Sequence, residues 1–184
     1  GATRFSGTRY GAVGQPESKA TETLASCGDS ARNGALTGRR APVIGDRDDG
    51  SWKTGRTVDL FDGKSTAGWR QTVPSRPGWT VENGSMRNLE KASDIVSDAK
   101  FWNFELHAEF KPGPKTNSGI GLRARYEVQI LEDLGRPTSN HGNGALYGFI
   151  VPSENASKPA DDWQAFDIRL VGRQVTVVLN RKTI

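Results

Sequence analysis

From residue 51 onward, apolar and polar positions alternate in short runs separated by turn residues. The clearest run is 102–110, where Trp102, Phe104, Leu106, Ala108 and Phe110 share one parity and Asn103, Glu105, His107 and Glu109 the other. That period of two predicts a strand with one core face and one polar face. Shorter runs at 57–61, 79–82, 85–87, 94–97, 119–122, 126–131, 145–151, 164–170 and 174–179 carry the same signal. Asn83-Gly84 falls between two of them, the sequence of a two-residue hairpin turn, and Gly172 sits where the last two would turn. Many short strands, turn signals every ten or so residues and no helical period predict an antiparallel β-sandwich or jelly roll.

Residues 1–50 read differently. They are dominated by Gly, Ala, Ser, Thr and Arg, with isolated apolar residues such as Phe5, Leu24 and Ile44 at neither a 3.6 nor a 2.0 spacing. Such a stretch buries too little apolar surface to offset its ordering entropy and is expected to be a flexible or loosely packed tail. It has no basic start followed by an apolar segment, so no signal peptide is visible in it. A length of 184 residues then leaves one domain, 51–184, after the tail.

Composition narrows the function. The formal charge of +4 is spread among acids, with Arg39-Arg40 the one compact basic pair, so a nucleic-acid partner is not expected. No apolar run approaches the roughly 18 residues of a spanning helix, so a membrane partner is not expected either. The single cysteine, Cys27, cannot close an internal disulfide and reads as an incidental thiol in the tail.

Two segments place polar side chains where a packed strand does not require them. In 117–131, Ile120, Leu122, Val128 and Ile130 share the core parity, leaving Glu127 and Gln129 opposite, joined by Arg123 if pairing is unbroken. An ordinary solvent-facing row explains that equally well by pattern alone. Glu and Gln are poor strand formers, however, and Gly119 and Gly121 permit close approach of a backbone or ligand. The loop 132–144 is rich in polar groups and contains His141, one of only two histidines. His107 belongs to the alternating polar face of 102–110 and needs no function.

Taken together, Leu60-Phe61-Asp62-Gly63-Lys64 with Gly68-Trp69, Trp79-Thr80-Val81-Glu82-Asn83-Gly84, Phe104-Glu105-Leu106 with Glu109-Phe110, Asn117-Ser118-Gly119-Ile120, Tyr126-Glu127-Val128-Gln129-Ile130-Leu131, Gly144-Ala145-Leu146-Tyr147-Gly148 and Asp162-Trp163-Gln164 resemble the 3-keto-disaccharide hydrolase-like domain. That is a concanavalin A-like jelly-roll family common in secreted or periplasmic bacterial proteins. The resemblance runs in consistent order over 51–184 and has no counterpart for the tail. The family pattern continues beyond the strand matching 175–180, so the domain is expected to be incomplete at its C-terminus.

The resemblance implies hydrolysis of glycosides whose sugar is oxidised at C3, an oxidised carbohydrate being the partner. A C3 ketone acidifies the C2 proton, so a base can remove it, expel the C1 substituent and let water add back. The resemblance implies Glu127 as base or metal ligand, Arg123 or a divalent metal ion on the enolate, and His141 as ligand or proton donor. Asn117, Gln129 and Asp133 would orient hydroxyls. Trp163 would offer an aromatic platform, against the plainer expectation of a core tryptophan. The rival is a non-catalytic carbohydrate-binding β-sandwich, separated from an enzyme by whether Glu127 and His141 converge on one point.

Overall fold

The computed structural model of the chain describes residues 48–184 and the backbone of residues 3–12. Its strands are β1 (Thr3–Ala12), β2 (Thr57–Asp59), β3 (Trp69–Gln71), β4 (Trp79–Glu82), β5 (Ser85–Asn88), β6 (Ile95–Ser97), β7 (Phe104–Pro112), β8 (Asn117–Leu122), β9 (Tyr126–Leu131), β10 (Gln164–Val171), β11 (Gln174–Leu179) and β12 (Lys182–Thr183). The large sheet runs β12-β11-β10-β7-β1-β5-β4, with β2 beside β1, while β3 pairs with β6 and β8 with β9. Every pairing is antiparallel. The result is the antiparallel β-sandwich that the pattern predicts, of the concanavalin A-like jelly-roll type that the resemblance implies.

The core lies where the period of two places it. Phe104, Leu106, Ala108 and Phe110 of β7 pack with Phe166, Ile168 and Leu170 of β10 and with Val177 and Leu179 of β11; Leu122, Val128 and Ile130 of the β8–β9 hairpin close over them. Phe110 and Phe166 stack at 4.8 Å between centroids, a pair worth about 1 kcal/mol beyond its buried area. On the opposite face of the same strands, Glu105 pairs with Arg169, which also holds Asp48, and His107 Nδ1 lies 2.6 Å from Asp167 Oδ1. The polar parity of β7 is thus an outer ion-paired face, and His107 is a satisfied surface histidine.

Asn83-Gly84 makes the expected β4–β5 turn, with φ of 51° and 71° at its two central residues. Three segments differ from expectation. Residues 145–151 form a turn with isolated bridges from Leu146 to Val128 and Ile150, because the amides of Phe149 and Ile150 both donate to the Leu146 carbonyl. Trp102 is 53% exposed and precedes β7. Inside the stretch read as tail, Thr3–Ala12 runs as a strand between β7 and β5. Backbone pairing to two neighbours orders a segment without any apolar alternation to announce it. Cys27 and the rest of that stretch, 13–47, lie outside the described residues.

Candidate functional site

The β8–β9 hairpin sets the site. Its turn closes through the Arg125 amide, which donates to the Leu122 carbonyl at 3.1 Å, and both central residues, Arg123 and Ala124, have φ near +50°. That left-handed pair breaks the pleat and carries Arg123 away from the Glu127 face. The Arg123 guanidinium donates to the carbonyls of Trp102 (2.6 Å) and Gly172 (2.6 Å) and to Asn103 Oδ1 (2.9 Å), and lies over the Trp102 ring. All three nitrogens are committed to tying this turn to the start of β7 and the β10–β11 turn.

Along β9, Val128 and Ile130 are buried in the core while Glu127 and Gln129 take the other face. This is no solvent-facing row. Gln129 is 1% exposed, and the outer edge of β9 is covered by 144–147: Gly144 donates to the Gln129 carbonyl (2.8 Å), Gln129 to Ala145 (3.0 Å) and Tyr147 to Glu127 (2.9 Å). Glu127 therefore stands between Gly121 of β8 and Tyr147. Its carboxyl lies over the bare backbone of Gly119, where a Cβ would come within 2.5 Å of Glu127 Cγ and Cδ. Only glycine leaves room for it there.

Glu127 forms one wall of a cleft of about 920 Å³ also lined by Trp69, Trp79, Asp94, Asn117 and Arg125. Burial pushes its pKa above the usual glutamate range, and the charge of Asp94 pushes it further. Asp94 is held by its own carbonyl, which accepts from the Thr72 amide and the Ser93 hydroxyl, each at 2.9 Å. The indole of Trp69 donates to the Leu60 carbonyl (2.6 Å) and that of Trp79 to Ser93 (2.9 Å), which fixes both rings at the cleft wall. Gln129 Nε2 donates to Asn117 Oδ1 at 3.5 Å, aligning the Asn117 amide, while Gln129 Oε1 is buried without a protein partner.

Of the residues expected to form the site, Glu127 and Asn117 meet at the cleft with Gln129 behind them. The others sit elsewhere. Asp133 is 4% exposed and organises loops: its carboxylate accepts from the Asn143 amide (2.9 Å) and the Ser157 hydroxyl (2.8 Å). Trp163 is 40% exposed and so no core tryptophan, and it stands outside the cleft lining with its carbonyl bound by Lys158 Nζ. His141 is exposed, is not among the cleft-lining residues and meets the ring of Tyr147, the residue whose amide binds the Glu127 carbonyl, edge-on at 4.7 Å. Asp94, Trp69, Trp79 and Arg125, none of them expected from the sequence, line the cleft. Among the described residues, no three His, Cys, Asp or Glu side chains come together to hold a metal ion.

A family model described as the 3-keto-alpha-glucoside-1,2-lyase-like domain matches residues 56–184. The chain belongs to that family. It is 25% identical over 197 residues to the 3-keto-disaccharide hydrolase of Bacteroides thetaiotaomicron, a match covering 86% of this chain and 64% of that protein. The chain thus spans less than two thirds of that relative's length. Among solved structures, a protein from Parabacteroides distasonis assigned to the glycosyl hydrolases is 30% identical with a TM-score of 0.62, over 69% of this chain and 63% of its own. A second from the same organism, at 24% identity and a TM-score of 0.57 over 68% of this chain and 69% of its own, shares the fold. The cleft, with Glu127 at its wall, lies within the residues that the family model matches.

Proposed function

We propose that the cleft hydrolyses glycosides carrying a ketone at C3, with Glu127 as the general base. The observation that carries this reading is the Glu127 carboxyl itself, seated on Gly119 in the cleft wall and raised in pKa by burial and by Asp94. A carboxylate of raised pKa is a stronger base in its ionised form and holds a proton more readily afterwards.

The chemistry follows in balanced steps. Glu127 takes the proton from C2, and the C–H electron pair forms the enolate with the C3 carbonyl. The enolate collapses, C1=C2 forms, and the C1–O bond breaks with its electron pair on the leaving oxygen. C1 and C2 are neighbours, so the carboxyl that took the proton can pass it to that oxygen. Water, deprotonated by the regenerated carboxylate, adds to C1, and C2 regains a proton. One C–O bond is exchanged for one water. Arg125, which lines the cleft with Lys91 and Lys115 where Arg123 does not, serves as the cation for the enolate oxygen. Asn117, aligned by Gln129, hydrogen-bonds a sugar hydroxyl, and the fixed rings of Trp69 and Trp79 carry the pyranose face.

One observation favours a second reading: Glu127 shares the cleft with two further carboxylates, Asp94 and Glu90, and a pair of carboxylates is the equipment of ordinary glycoside hydrolysis at an oxocarbenium-like centre. The two readings predict different substrates. Elimination requires the ketone, so aglycone is released from a 3-keto-glucoside and not from the unoxidised glucoside, with Glu127→Gln lowering the rate about a hundredfold. Equal turnover of both substrates supports the two-carboxylate reading, and turnover of neither supports a binding module.

A further inference from the structure

Asp133 is a buried carboxylate that the proton chemistry does not use. Among the described residues its oxygens are met only by neutral donors: the Asn143 amide at 2.9 Å, the Ser157 hydroxyl at 2.8 Å and Asn155 Nδ2 at 3.4 Å. The bare backbone of Gly142 lets the carboxylate in, since a Cβ there would lie 3.1 Å from Asp133 Oδ2. Burying a charge on neutral donors is costly, and removing it leaves those donors unpaired in the interior. What the donors fasten is the strap 142–147. Asn143 is itself buried; its Nδ2 donates to the Ser157 hydroxyl (2.9 Å) and its Oδ1 accepts from the Leu131 amide (3.3 Å). From there Gly144 donates to Gln129 (2.8 Å), Ala145 accepts from Gln129 (3.0 Å) and Tyr147 donates to Glu127 (2.9 Å). The strap thus binds Leu131, Gln129 and Glu127, every second residue of β9. Asp133 follows that strand by two residues, so its carboxylate ties the exit of β9 to the start of the segment that returns along it.

We propose that Asp133 is a positioning residue for the site: by fastening Asn143 it holds 143–147 on the outer edge of β9 and so keeps the Glu127 carboxyl seated over Gly119. The proposal rests on the function proposed above for what Glu127 does, while the seating itself is independent of that chemistry. The coupling runs through backbone pairing, two bonds at Gln129 and one at Glu127. The seat has no slack, because Glu127 Cγ and Cδ lie 2.5 Å from where a Gly119 Cβ would stand. A strap that lifts from β9 lets water reach the strand edge, and Glu127 then loses part of the burial that raises its pKa. The charge of Asp94, which the strap does not hold, still acts on it.

The test uses the whole chain with Asp133→Asn, which keeps the volume and removes the charge, and with Ser157→Ala, which removes one donor and leaves the carboxylate. Asp167→Asn, the partner of His107 on the outer face of the large sheet, is the control. Two readouts need no substrate: NMR hydrogen exchange at the Gln129, Gly144 and Tyr147 amides relative to Ile168 in the core, and the titration of the Glu127 carboxyl. In Asp133→Asn the strap amides exchange at least about tenfold faster relative to Ile168, the loss of one hydrogen bond to a charged group, and Glu127 titrates at lower pH. The kcat for a 3-keto-glucoside falls by about tenfold or more with KM within about twofold of the parent. Ser157→Ala moves all three in the same direction by less and decides alone if Asp133→Asn does not fold, while Asp167→Asn moves none. Strap amides that exchange as in the parent, or a loosened strap with Glu127 titrating as in the parent, overturn the proposal. So does equal loss of protection at Ile168 and at the strap, the mark of global destabilisation alone. Exchange and titration are read without turnover, so an inactive parent counts against the proposed reaction and leaves the seating result standing.

Discussion

Gly119→Ala is the substitution through which the candidate site is most sharply exposed. The added methyl carbon would sit 2.5 Å from Cγ and Cδ of Glu127, against an ordinary carbon contact of about 3.5–4.0 Å. The Glu127 side chain must therefore move by at least about 1 Å, and it is free to do so toward the open cleft. Stability changes little. An interior strand glycine costs about 0.5–1 kcal/mol relative to alanine, which offsets much of the strain, so the net effect stays within about 1 kcal/mol. Catalysis changes much more, since a 1 Å misplacement of a reacting group costs about a hundredfold. The pH profile moves as well. Glu127 acts ionised, so kcat/KM rises with pH through its pKa; moving the carboxyl toward water removes part of the burial that raises that pKa, and the acid limb shifts to lower pH. The assay is kcat/KM for a 3-keto-glucoside across pH beside the thermal midpoint, with Gly121→Ala as the control, since a methyl there meets no atom within 4 Å. Near-parental kcat/KM with an unmoved acid limb in Gly119→Ala would refute the seating of Glu127 as the source of its function.

Four further outcomes follow from the same geometry. Asp94→Asn removes the charge acting on Glu127 and leaves burial in place, so the acid limb of kcat/KM moves to lower pH by less than full exposure of Glu127 would give. Glu127→Gln lowers turnover about a hundredfold yet raises the thermal midpoint above the folded-state pKa: a raised carboxyl pKa means stability is lost as pH rises through that value, and the amide cannot ionise, so the difference vanishes at low pH. Arg123→Ala strips partners from Trp102, Gly172 and Asn103 and lowers stability by about 2–3 kcal/mol in urea titration, while KM for a 3-keto-glucoside holds in the folded fraction. Asp48→Asn tests the outer face: hydrogen bonding to Arg169 lowers the Asp48 pKa, so its contribution is present at neutral pH and fades as pH falls through that lowered value. For a pair about a quarter exposed this amounts to roughly 1 kcal/mol or less, read as a midpoint difference at pH 7 that closes as the pH is taken below the ordinary carboxylate range.

The core of the fold is legible in the sequence because it is written in a period of two: Phe104 to Phe110 by alternate residues, Val128 and Ile130, Phe166 and Ile168 all bury the face their parity assigns. Glu127 is legible for the same reason, as the charged residue of opposite parity beside two glycines. What the pattern does not carry is anything made by a turn or by partners far along the chain. Arg123 joins Glu127 only if the pleat is unbroken, and two left-handed residues break it. Asp94 precedes an unremarkable short strand, and only the fold brings its charge to Glu127. Trp69 and Trp79 enter the sequence reading only as parts of short motifs, and it is their indole bonds to Leu60 and Ser93 that fix the rings at the cleft wall. The strand Thr3–Ala12 is held by backbone pairing on both sides, which no side-chain pattern reports.

The central claim is that Glu127 removes the C2 proton of a 3-keto-sugar, and hydrogen exchange at that carbon tests it most directly. A 3-keto-glucoside turned over in deuterium oxide should yield product carrying deuterium at C2, read by NMR, with incorporation slowed in step with turnover in Glu127→Gln and matching the parental rate in Arg123→Ala per folded molecule. Aglycone release with C2 protium fully retained would mean that the C1–O bond breaks without passage through the enolate, and would contradict the account.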